Sequence, residues 1–350
     1  MQDNDPAKDR VSMNNGNILK NMGVWLTWED HRRSKELSKN YGIEYKYIKT
    51  FEIFQRFRAT KYPVLITKTL FFIMLKKPNF IVVQNPSVVL TFIVCLAKKI
   101  LKFYLVVDRH SNFKIEKKNS KELKYRMFHY LSSQTIKEAD LTVVTNKCLK
   151  DLIESMGGRG FVLEDKIPSL TVMSKNSPSA LDDVVCICSF SDDEPIEEVA
   201  VAASYLRGVC DILVTGDYNK NKQIRRIKRL SHNFILTGYL AEQDYINLLS
   251  KSKIIMALTT QEYTLTCGSY EAVALEKPLI VSNTETQKNF FDKGVIFTEL
   301  SPDAISMSIN YVLSNYTLVQ ERMRLMKISM KSQWEMKSNN LIRLINDGLK

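Results

Sequence analysis

The sequence predicts an α/β fold made of two doubly wound parallel sheets. Short apolar runs rich in Val, Ile and Leu alternate with longer segments of helical periodicity along the whole chain. Continuous apolar strands separated by helices are typical of parallel sheets that are covered on both faces. The chain of 350 residues is long enough for two domains. The alternation is interrupted near Pro168–Asp183, where Ser and Pro are frequent, so we expect two Rossmann-like domains joined there.

The predicted elements follow from these runs in order. The strands of the first half are Gly23–Trp28, Glu44–Ile48, Asn79–Gln84, Phe103–Asp108, Leu141–Thr145 and Phe161–Leu163. Those of the second half are Val184–Phe190, Asp211–Gly216, Asn233–Gly238, Lys253–Leu258, Pro278–Ser282 and Gly294–Thr298. The helices include Lys61–Lys76, Lys121–Ala139, Glu197–Leu206, Gln243–Ser250, Ser269–Leu275 and Thr317–Leu349.

These elements give a four-part organisation. We expect an N-terminal domain over residues 1–170, a linker over 171–182, a C-terminal domain over 183–330 and a terminal helix over 331–350. Because ligands of doubly wound sheets bind outside the carboxyl ends of the strands, the expected site is a cleft between the two facing domains.

The charge is concentrated in the first half of the chain. The net charge is +12, but residues 1–170 carry +13 and residues 171–350 carry −1. Such asymmetry predicts an anionic partner for the first domain, either nucleic acid, anionic lipid or an acidic sugar. No helix-turn-helix, RNP or zinc-finger pattern is present, so we do not expect nucleic acid.

Composition also indicates the compartment. The start of the chain is polar and lacks the apolar core of a signal peptide, and the longest uncharged apolar stretch, Pro86–Ala97, is too short to span a bilayer. The cysteines lie mostly in apolar runs, as buried free thiols do, and no CxxC pair occurs. We expect a cytoplasmic chain, peripheral at the inner face of the cell membrane, with no metal site.

The most informative stretch is Thr259–Ser282. An apolar strand leads into a polar loop that ends at Cys267-Gly268-Ser269, where a helix begins. A helix N-terminus offers free backbone N–H groups and a positive dipole end, so this turn is a candidate phosphate site. Glu271, one turn into the helix, is placed to accept hydrogen bonds from a ribose diol. Glu262, in the loop, is a candidate to reach sugar hydroxyls.

This stretch resembles the nucleotide-sugar site of GT-B glycosyltransferases, close to the retaining family 4 (glycosyltransferase group 1). The motif reads Glu271-Ala-Val-Ala-Leu-Glu-Lys-Pro278, with Glu276 where Gly is usual. Val214–Asp217 and Phe234–Tyr239 resemble further elements of the family. Trp334–Ile345 resembles its final helix, which crosses back to the first domain. The resemblance implies a transferase that uses a nucleotide sugar, with UDP expected, and needs no metal or other cofactor.

The resemblance also implies the site residues. Glu271 would bind the ribose, and the remaining candidates for the nucleotide sugar are Ser269, Gly268, Cys267, Thr266, Thr264, Gly216, Lys222, Ser189, Gly238 and Tyr239. Two departures stand out. The two glutamates of the family usually have seven residues between them, but Glu262 and Glu271 have eight. The loop Ser189–Pro195 is acidic where many members carry Arg and Lys.

In the first domain, the loop that begins at Asp108 resembles the family's D-x-H loop, in which the His contacts the transferred sugar. His110 is therefore a candidate catalytic residue, and Asp108 a candidate general base if the enzyme inverts. Alternatively, Asp108 caps a helix or pairs with Arg109. Candidates for binding the acceptor, a lipid-linked or cell-surface glycan, are His31, Arg32, Arg33 and Asn85. The first three equally fit a charge cluster at a helix start.

Two segments mix apolar residues with lysines, Phe71–Pro78 and Lys98–Phe103. They fit docking on an anionic leaflet, or core helices with solvated lysine ends. The predicted function is the transfer of a sugar to such an acceptor. The alternatives are a nucleotide-sugar epimerase of the same fold and a catalytically inactive scaffold.

Overall fold

The computed structural model describes residues 19, 22–50, 58–85, 87–110, 114–172, 181–292 and 294–350. The chain divides into two compact units. Unit 1 comprises Met1–Asp165 with Trp334–Lys350, and unit 2 comprises Lys166–Gln333. Within the described residues, each unit contains one parallel sheet of six strands, which confirms the predicted α/β architecture. The predicted linker, 171–182, falls largely outside the described ranges.

The sheet of unit 1 has the strand order β2-β1-β3-β4-β5-β6. Its strands are β1 (Gly23–Thr27), β2 (Glu44–Tyr47), β3 (Phe80–Asn85), β4 (Tyr104–Arg109), β5 (Leu141–Val144) and β6 (Gly160–Val162). Nearly all residues of β1, β3, β4 and β5 are buried, as expected for a sheet covered on both faces. In the register of β3 and β4, Gln84 lies opposite Asp108, and Asn85 lies opposite Arg109, so polar residues gather where these strands end.

Helices cover both faces of this sheet. They are α1 (Arg32–Tyr41), α2 (Arg58–Lys76), α3 (Val88–Leu101), α4 (Leu123–Glu138) and α5 (Lys147–Ser155). Apolar side chains of α2 and α3 form one core cluster with the strands, and those of α1 form a second cluster. The two clusters correspond to the two faces of the sheet.

Unit 2 repeats this design with the order β12-β11-β10-β7-β8-β9. Its strands are β7 (Leu181–Cys186), β8 (Ile212–Thr215), β9 (Phe234–Gly238), β10 (Ser252–Ala257), β11 (Leu279–Ser282) and β12 (Val295–Thr298). Its helices are α6 (Ile196–Tyr205), α7 (Ile224–Ile227), α8 (Glu242–Lys251), α9 (Cys267–Ala274), α10 (Glu285–Phe290) and α11 (Pro302–Ser314). Because the strands are parallel, their carboxyl ends share one edge.

The last helix, α12 (Tyr316–Gly348), begins in unit 2, and its residues from Trp334 onward belong to unit 1. Trp334, Leu341 and Ile345 are buried in the same cluster as α1. The Trp334 indole N–H donates to the Glu164 carbonyl oxygen at 3.1 Å. The expected return of the terminal helix to the first unit is therefore present.

Three helices of unit 1, α1, α3 and α5, were not predicted from the sequence. The first ten residues of α3 are apolar except for Thr91, so hydrophobic periodicity gives no helix signal there. Helix α1 is short and polar, but Gly42 ends it in the left-handed conformation at φ 66°. A glycine directly after a helix is a common C-terminal signal, and it was available in the sequence.

We expect Trp334→Ala to destabilise unit 1, because it removes a large buried side chain and its hydrogen bond. The expected loss is about 3–5 kcal/mol in the free energy of unfolding, measured by urea denaturation. Met336→Ala on the same helix is the control, since Met336 is exposed. Equal losses from the two variants would contradict the packing described here.

Candidate functional site

Unit 2 contains a pocket of about 400 Å³ at the carboxyl ends of β7, β8 and β9. Two of the predicted nucleotide-sugar residues, Gly216 and Tyr239, line it, and Gly238 directly precedes Tyr239. The lining residues are Ile187, Cys188, Thr215, Gly216, Tyr239, Leu240, Glu242 and Tyr245. The pocket therefore lies at the edge where a doubly wound sheet binds its ligand.

Gly216 is required by the backbone at this pocket. Its φ is 104°, and a Cβ atom there would lie 2.1 Å from the carbonyl oxygen of Cys188. Its N–H donates to the carbonyl oxygen of Gly238 at 3.2 Å, which joins the ends of β8 and β9. Any side chain at position 216 would push β7 and β8 apart at the pocket.

Glu271 is connected to this pocket by a hydrogen bond from Tyr245, one of the lining residues. The phenol of Tyr245, on α8, donates to Glu271 Oε2 at 2.5 Å. Burial and the adjacent carboxylate raise the pKa of Tyr245, so its proton stays on the phenol and holds the carboxylate in place. Tyr245 was not among the predicted site residues. Its hydrophobic-periodic position on α8 was the only available signal.

The turn before α9 is tightly packed. Helix α9 begins at Cys267, and the hydroxyls of Thr266 and Ser269 are 2.7 Å apart. A Cβ atom on Gly268 would lie 2.8 Å from Ile187 Cδ1, so this glycine lets α9 approach β7. Ser269 is fully buried, which leaves Cys267 as the exposed residue of the turn. The hydroxyl of Ser269 thus organises the turn and is not presented to solvent.

Glu262 anchors the neighbouring helix. Its carboxylate accepts hydrogen bonds from the N–H (2.8 Å) and hydroxyl (2.5 Å) of Thr286 and from the N–H of Glu285 (3.3 Å). Burial opposes its ionisation, but these donors lower the pKa of Glu262 below its usual value. The carbonyl oxygen of Thr264 accepts from the same helix, through Gln287 Nε2 at 3.4 Å. Glu262 therefore holds the loop against α10, and its predicted catalytic role stays a prediction.

In the acidic loop after β7, backbone N–H groups donate hydrogen bonds to a carboxylate of the same loop. Glu194 accepts hydrogen bonds from the backbone N–H groups of Ser189 and Ser191, all at 3.0 Å. The Ser189 hydroxyl also lies 3.2 Å from Glu194. Asp193 accepts from the Thr259 hydroxyl at 2.5 Å, which ties the loop to the end of β10. Ser189 therefore makes its hydrogen bonds within the loop. Lys222, another predicted nucleotide-sugar residue, is exposed and is not among the residues lining the pocket.

Unit 1 carries a buried ion pair at the end of β4. Arg33 donates from Nε and Nη2 to Asp108 at 3.1–3.2 Å and from Nη1 to Asp165 at 2.6 Å. Its Nη2 also donates to the carbonyl oxygen of Leu163 at 2.8 Å. Although burial favours the neutral acid, Arg33 holds the pKa of Asp108 well below its usual range.

This pair corrects two interpretations of the sequence. Asp108 pairs with Arg33, not with Arg109, whose guanidinium instead donates to the hydroxyls of Ser132 and Thr135. Burial lowers the pKa of Arg109 to about 9. Arg33, a predicted acceptor ligand, is only 6% exposed, so its donors face the protein interior.

Two histidines meet above this ion pair. His110 Nδ1 lies 3.5 Å from Asp108 Oδ2. The rings of His31 and His110 are stacked, with centroids 4.5 Å apart and planes at 34°. Burial, and then the proximity of His110, lower the pKa of His31. Residues predicted from two distant segments, at positions 31–33 and 108–110, are therefore brought together.

The other acceptor candidates lie apart from the stacked histidines. Arg32 is exposed and pairs with Glu36 at 2.8 Å, as expected for a solvated helix start. Asn85 is buried at the end of β3. A pocket of about 410 Å³, which the sequence did not reveal, opens beside β1 and β2. It is lined by Trp28, Glu29, Asp30, Tyr47, Ile48, Lys49, Thr50, Lys61 and Leu65.

Metal-binding groups of side chains and membrane-spanning helices are two features of interest in this chain. In the described part of the chain, no group of three or more His, Cys, Asp or Glu side chains is arranged to bind a metal ion. The helices built from the described residues are all too short or too polar to cross a membrane.

The chain is similar to solved structures along most of its length. HepE from Anabaena, solved in complex with UDP-glucose, has a TM-score of 0.69 at 13% identity, over 99% of this chain and 98% of that chain. Sucrose-phosphate synthase from Thermosynechococcus elongatus has a TM-score of 0.68 at 13% identity, over 86% and 80%. A putative UDP-N-acetylglucosamine 2-epimerase from Listeria monocytogenes has a TM-score of 0.64 at 13% identity, over 93% and 96%.

No family model and no curated protein matches the chain. At these identities the structural likeness establishes the fold, and the predicted GT-B fold is confirmed. Membership of family 4 stays a prediction.

We expect Arg33→Met to destabilise unit 1 strongly, because it leaves the Asp108 carboxylate buried without its counter-ion. The expected loss is about 3–5 kcal/mol in the free energy of unfolding, measured by urea denaturation. Arg32→Met is the matched control, since Arg32 is exposed and its ion pair with Glu36 should contribute at most about 1 kcal/mol. Similar losses from both variants would refute the assigned role of Arg33.

The lowered pKa of His31 predicts a pH dependence of stability. A histidine that resists protonation when folded binds a proton more readily when unfolded, so stability should fall as the pH drops below about 6.5. His31→Gln should flatten the melting temperature of unit 1 between pH 7 and pH 5. His232→Gln, at an exposed histidine of unit 2, should leave the slope unchanged. If the melting temperature of His31→Gln falls with pH as steeply as that of the wild type, the buried environment described for His31 is wrong.

Proposed function

We propose that the protein is a glycosyltransferase that moves a sugar from a UDP-sugar to a glycan acceptor. The observation that carries this proposal is the placement of Glu271 beside the unit 2 pocket, fixed there by Tyr245. Glu271 is a carboxylate held by a phenol beside a pocket at the carboxyl ends of the strands. Such a carboxylate is suited to a ribose diol, which offers two hydroxyl donors. HepE, which has the same fold, is described in complex with UDP-glucose.

The pocket is suited to the nucleotide. Gly216 and Gly238 bring backbone close to the cavity, and Tyr239, which is 85% exposed, offers a ring for a base to stack on. The diphosphate would lie toward the turn before α9, where the exposed Cys267 and the hydroxyls of Thr264 and Thr266 are found. We propose that the helix dipole and Lys222 supply the positive charge there, so that no metal is required.

The proposed chemistry assigns His110 to the transferred sugar. The bond from the anomeric carbon to the diphosphate oxygen breaks, and its electron pair leaves with UDP. The acceptor hydroxyl oxygen bonds the same carbon, and its proton passes to the departing diphosphate. His110 would hydrogen-bond the sugar as positive charge develops at the anomeric carbon.

Retention of anomeric configuration fits the state of Asp108. An inverting reaction needs a general base whose pKa is near the working pH. Arg33 holds the pKa of Asp108 far below that range, so this carboxylate is a poor base. We propose that Asp108 orients His110, and that Arg33 orients Asp108.

The acceptor is proposed to be a lipid-linked or cell-surface glycan at the inner face of the cell membrane. The pocket lined by Trp28 and Tyr47 combines aromatic rings with Asp30 and Lys49, and such surfaces suit sugar rings and hydroxyls. The net charge of +13 on residues 1–170 favours an anionic surface nearby. The membrane location and a role in polysaccharide biosynthesis are proposed from the resemblance noted in the sequence.

We expect Glu271→Ala to weaken UDP binding by about 1.5–3 kcal/mol, roughly 10- to 150-fold in Kd, because it removes the charged acceptor of the ribose hydroxyls. Calorimetry with UDP measures this directly. His110→Ala is the contrasting variant: it should keep the UDP affinity and lower turnover about 100-fold or more. Wild-type UDP affinity in Glu271→Ala, or no UDP binding by the wild-type protein, would overturn the proposal.

A further inference from the structure

One face of unit 1 is formed by three neighbouring helices. Helix α2 packs beside α3, and α3 packs beside α4. The inner sides of α2 and α3 join the strands through buried residues such as Leu65, Ile73, Leu90 and Val94. We call the outer sides of α2, α3 and α4 the α2–α4 face.

The α2–α4 face exposes large apolar side chains in helical stripes. On α3, Leu96 and Ile100 are one turn apart, and Ile100 is 81% exposed. On α4 the spacing of the exposed residues is again four and three, and on α2 Met74 and Leu75 lie three and four positions after Phe71. The exposed apolar residues of the face are Tyr62, Phe71, Met74, Leu75, Leu96, Ile100, Leu101, Leu123, Met127 and Tyr130. Single exposed apolar residues are ordinary, but a set of this size on adjacent helices indicates an interaction surface.

The same face is basic. The sequences of α2 and α3 contain no Asp or Glu, and Glu138, at the last position of α4, is the one acid in the three helices. Lysines follow the ends of the apolar stripes at Lys76, Lys99 and Lys102, all exposed. Lys76 pairs with Glu44 at 2.9 Å and Lys99 with Glu138 at 2.8 Å, so basic side chains outnumber acidic ones here even after these ion pairs are counted. Exposed apolar side chains interleaved with lysines are typical of surfaces that insert into a bilayer interface while their charges meet lipid phosphates.

We propose that the α2–α4 face docks on an anionic lipid bilayer. The aliphatic side chains enter the boundary between headgroups and acyl chains, and the lysine and arginine side chains pair with lipid phosphates. Charge complementarity decides the partner, because this face has almost no acidic residue to repel an anionic leaflet. The inference deepens the membrane part of the proposed function by naming the residues that make the contact.

Other occupants fit this surface less well. Nucleic acid offers no apolar layer for Leu75 or Ile100, because its backbone is charged and its protein contacts are mainly polar. A second copy of the same face would bring lysines against lysines, and like charges oppose such pairing. Both occupants are nevertheless outcomes that the test distinguishes.

The test is sedimentation with lipid vesicles, and it requires neither donor nor acceptor. The full chain should bind vesicles of phosphatidylcholine with 30% phosphatidylglycerol at least tenfold more strongly than pure phosphatidylcholine vesicles. Binding should weaken as salt rises, because screening reduces the lysine contribution. Equal binding to both vesicle types would overturn the proposal.

Two pairs of variants locate the contact. Leu75→Glu/Ile100→Glu should lower the anionic-vesicle partition coefficient at least tenfold. Lys102→Gln/Arg126→Gln, at exposed basic residues at the end of α3 and on α4, should lower it severalfold and reduce its salt dependence. The control is Met307→Glu/Leu325→Glu, at residues of unit 2 that are comparably exposed. It should bind like the wild type. Thermal unfolding followed by circular dichroism verifies that each variant is folded.

Three results would overturn the proposal: unchanged binding in Leu75→Glu/Ile100→Glu, an equal loss in the unit 2 control, or self-association that the same substitutions abolish. Preferential binding of nucleic acid that the Leu75 and Ile100 substitutions leave intact, without vesicle binding, would also overturn it. UDP calorimetry on the same samples separates the two proposals. Vesicle binding without UDP binding would leave the docking face standing and remove the transferase.

Discussion

Parallel pairing of the strands is the constraint on which the rest of each unit depends. A parallel strand can be followed by its neighbour only after a crossover, so helices cover the sheet and the carboxyl ends of all strands collect at one edge. In unit 2 that edge brings together Gly216, Tyr239 and Tyr245 from three separate crossovers. In unit 1 it brings together the Asp108 and His31 segments. The sites follow from topology before any particular side chain is considered.

The polar groups at these edges are held by internal partners. Arg33 fixes Asp108, Tyr245 fixes Glu271, and the N-terminus of α10 fixes Glu262. Each partner restricts a carboxylate to one orientation, and the donors to Asp108 and Glu262 also lower the pKa of these two carboxyls. A buried ion pair such as Arg33–Asp108 contributes little net stability relative to an apolar pair, and what it fixes is the position of the Asp108 carboxylate 3.5 Å from His110 Nδ1.

Much of this arrangement was predictable from local sequence, and the remainder depended on distant pairing. The strands and the two doubly wound sheets follow from apolar runs, whereas the GT-B fold and the candidate Glu271 follow from the resemblance of a short motif. The role of Arg33 was missed because its partner lies 75 positions away, and that of Tyr245 because its partner lies 26 positions away. Periodicity reports which side of an element faces the core, but it cannot report which carboxylate a buried donor will meet. Ser269 shows the same limit, since a hydroxyl in a motif looks identical whether it faces a ligand or the interior.

The loop after β7 carries an anion of its own. Glu194 accepts hydrogen bonds from the backbone N–H groups of Ser189 and Ser191, so these amides are occupied by a carboxylate of the same loop. Substitution of this one residue would free those amides and remove a negative charge in the same step. One carboxylate at position 194 therefore decides whether the amides of this loop are occupied by the chain itself or open to an anion from outside.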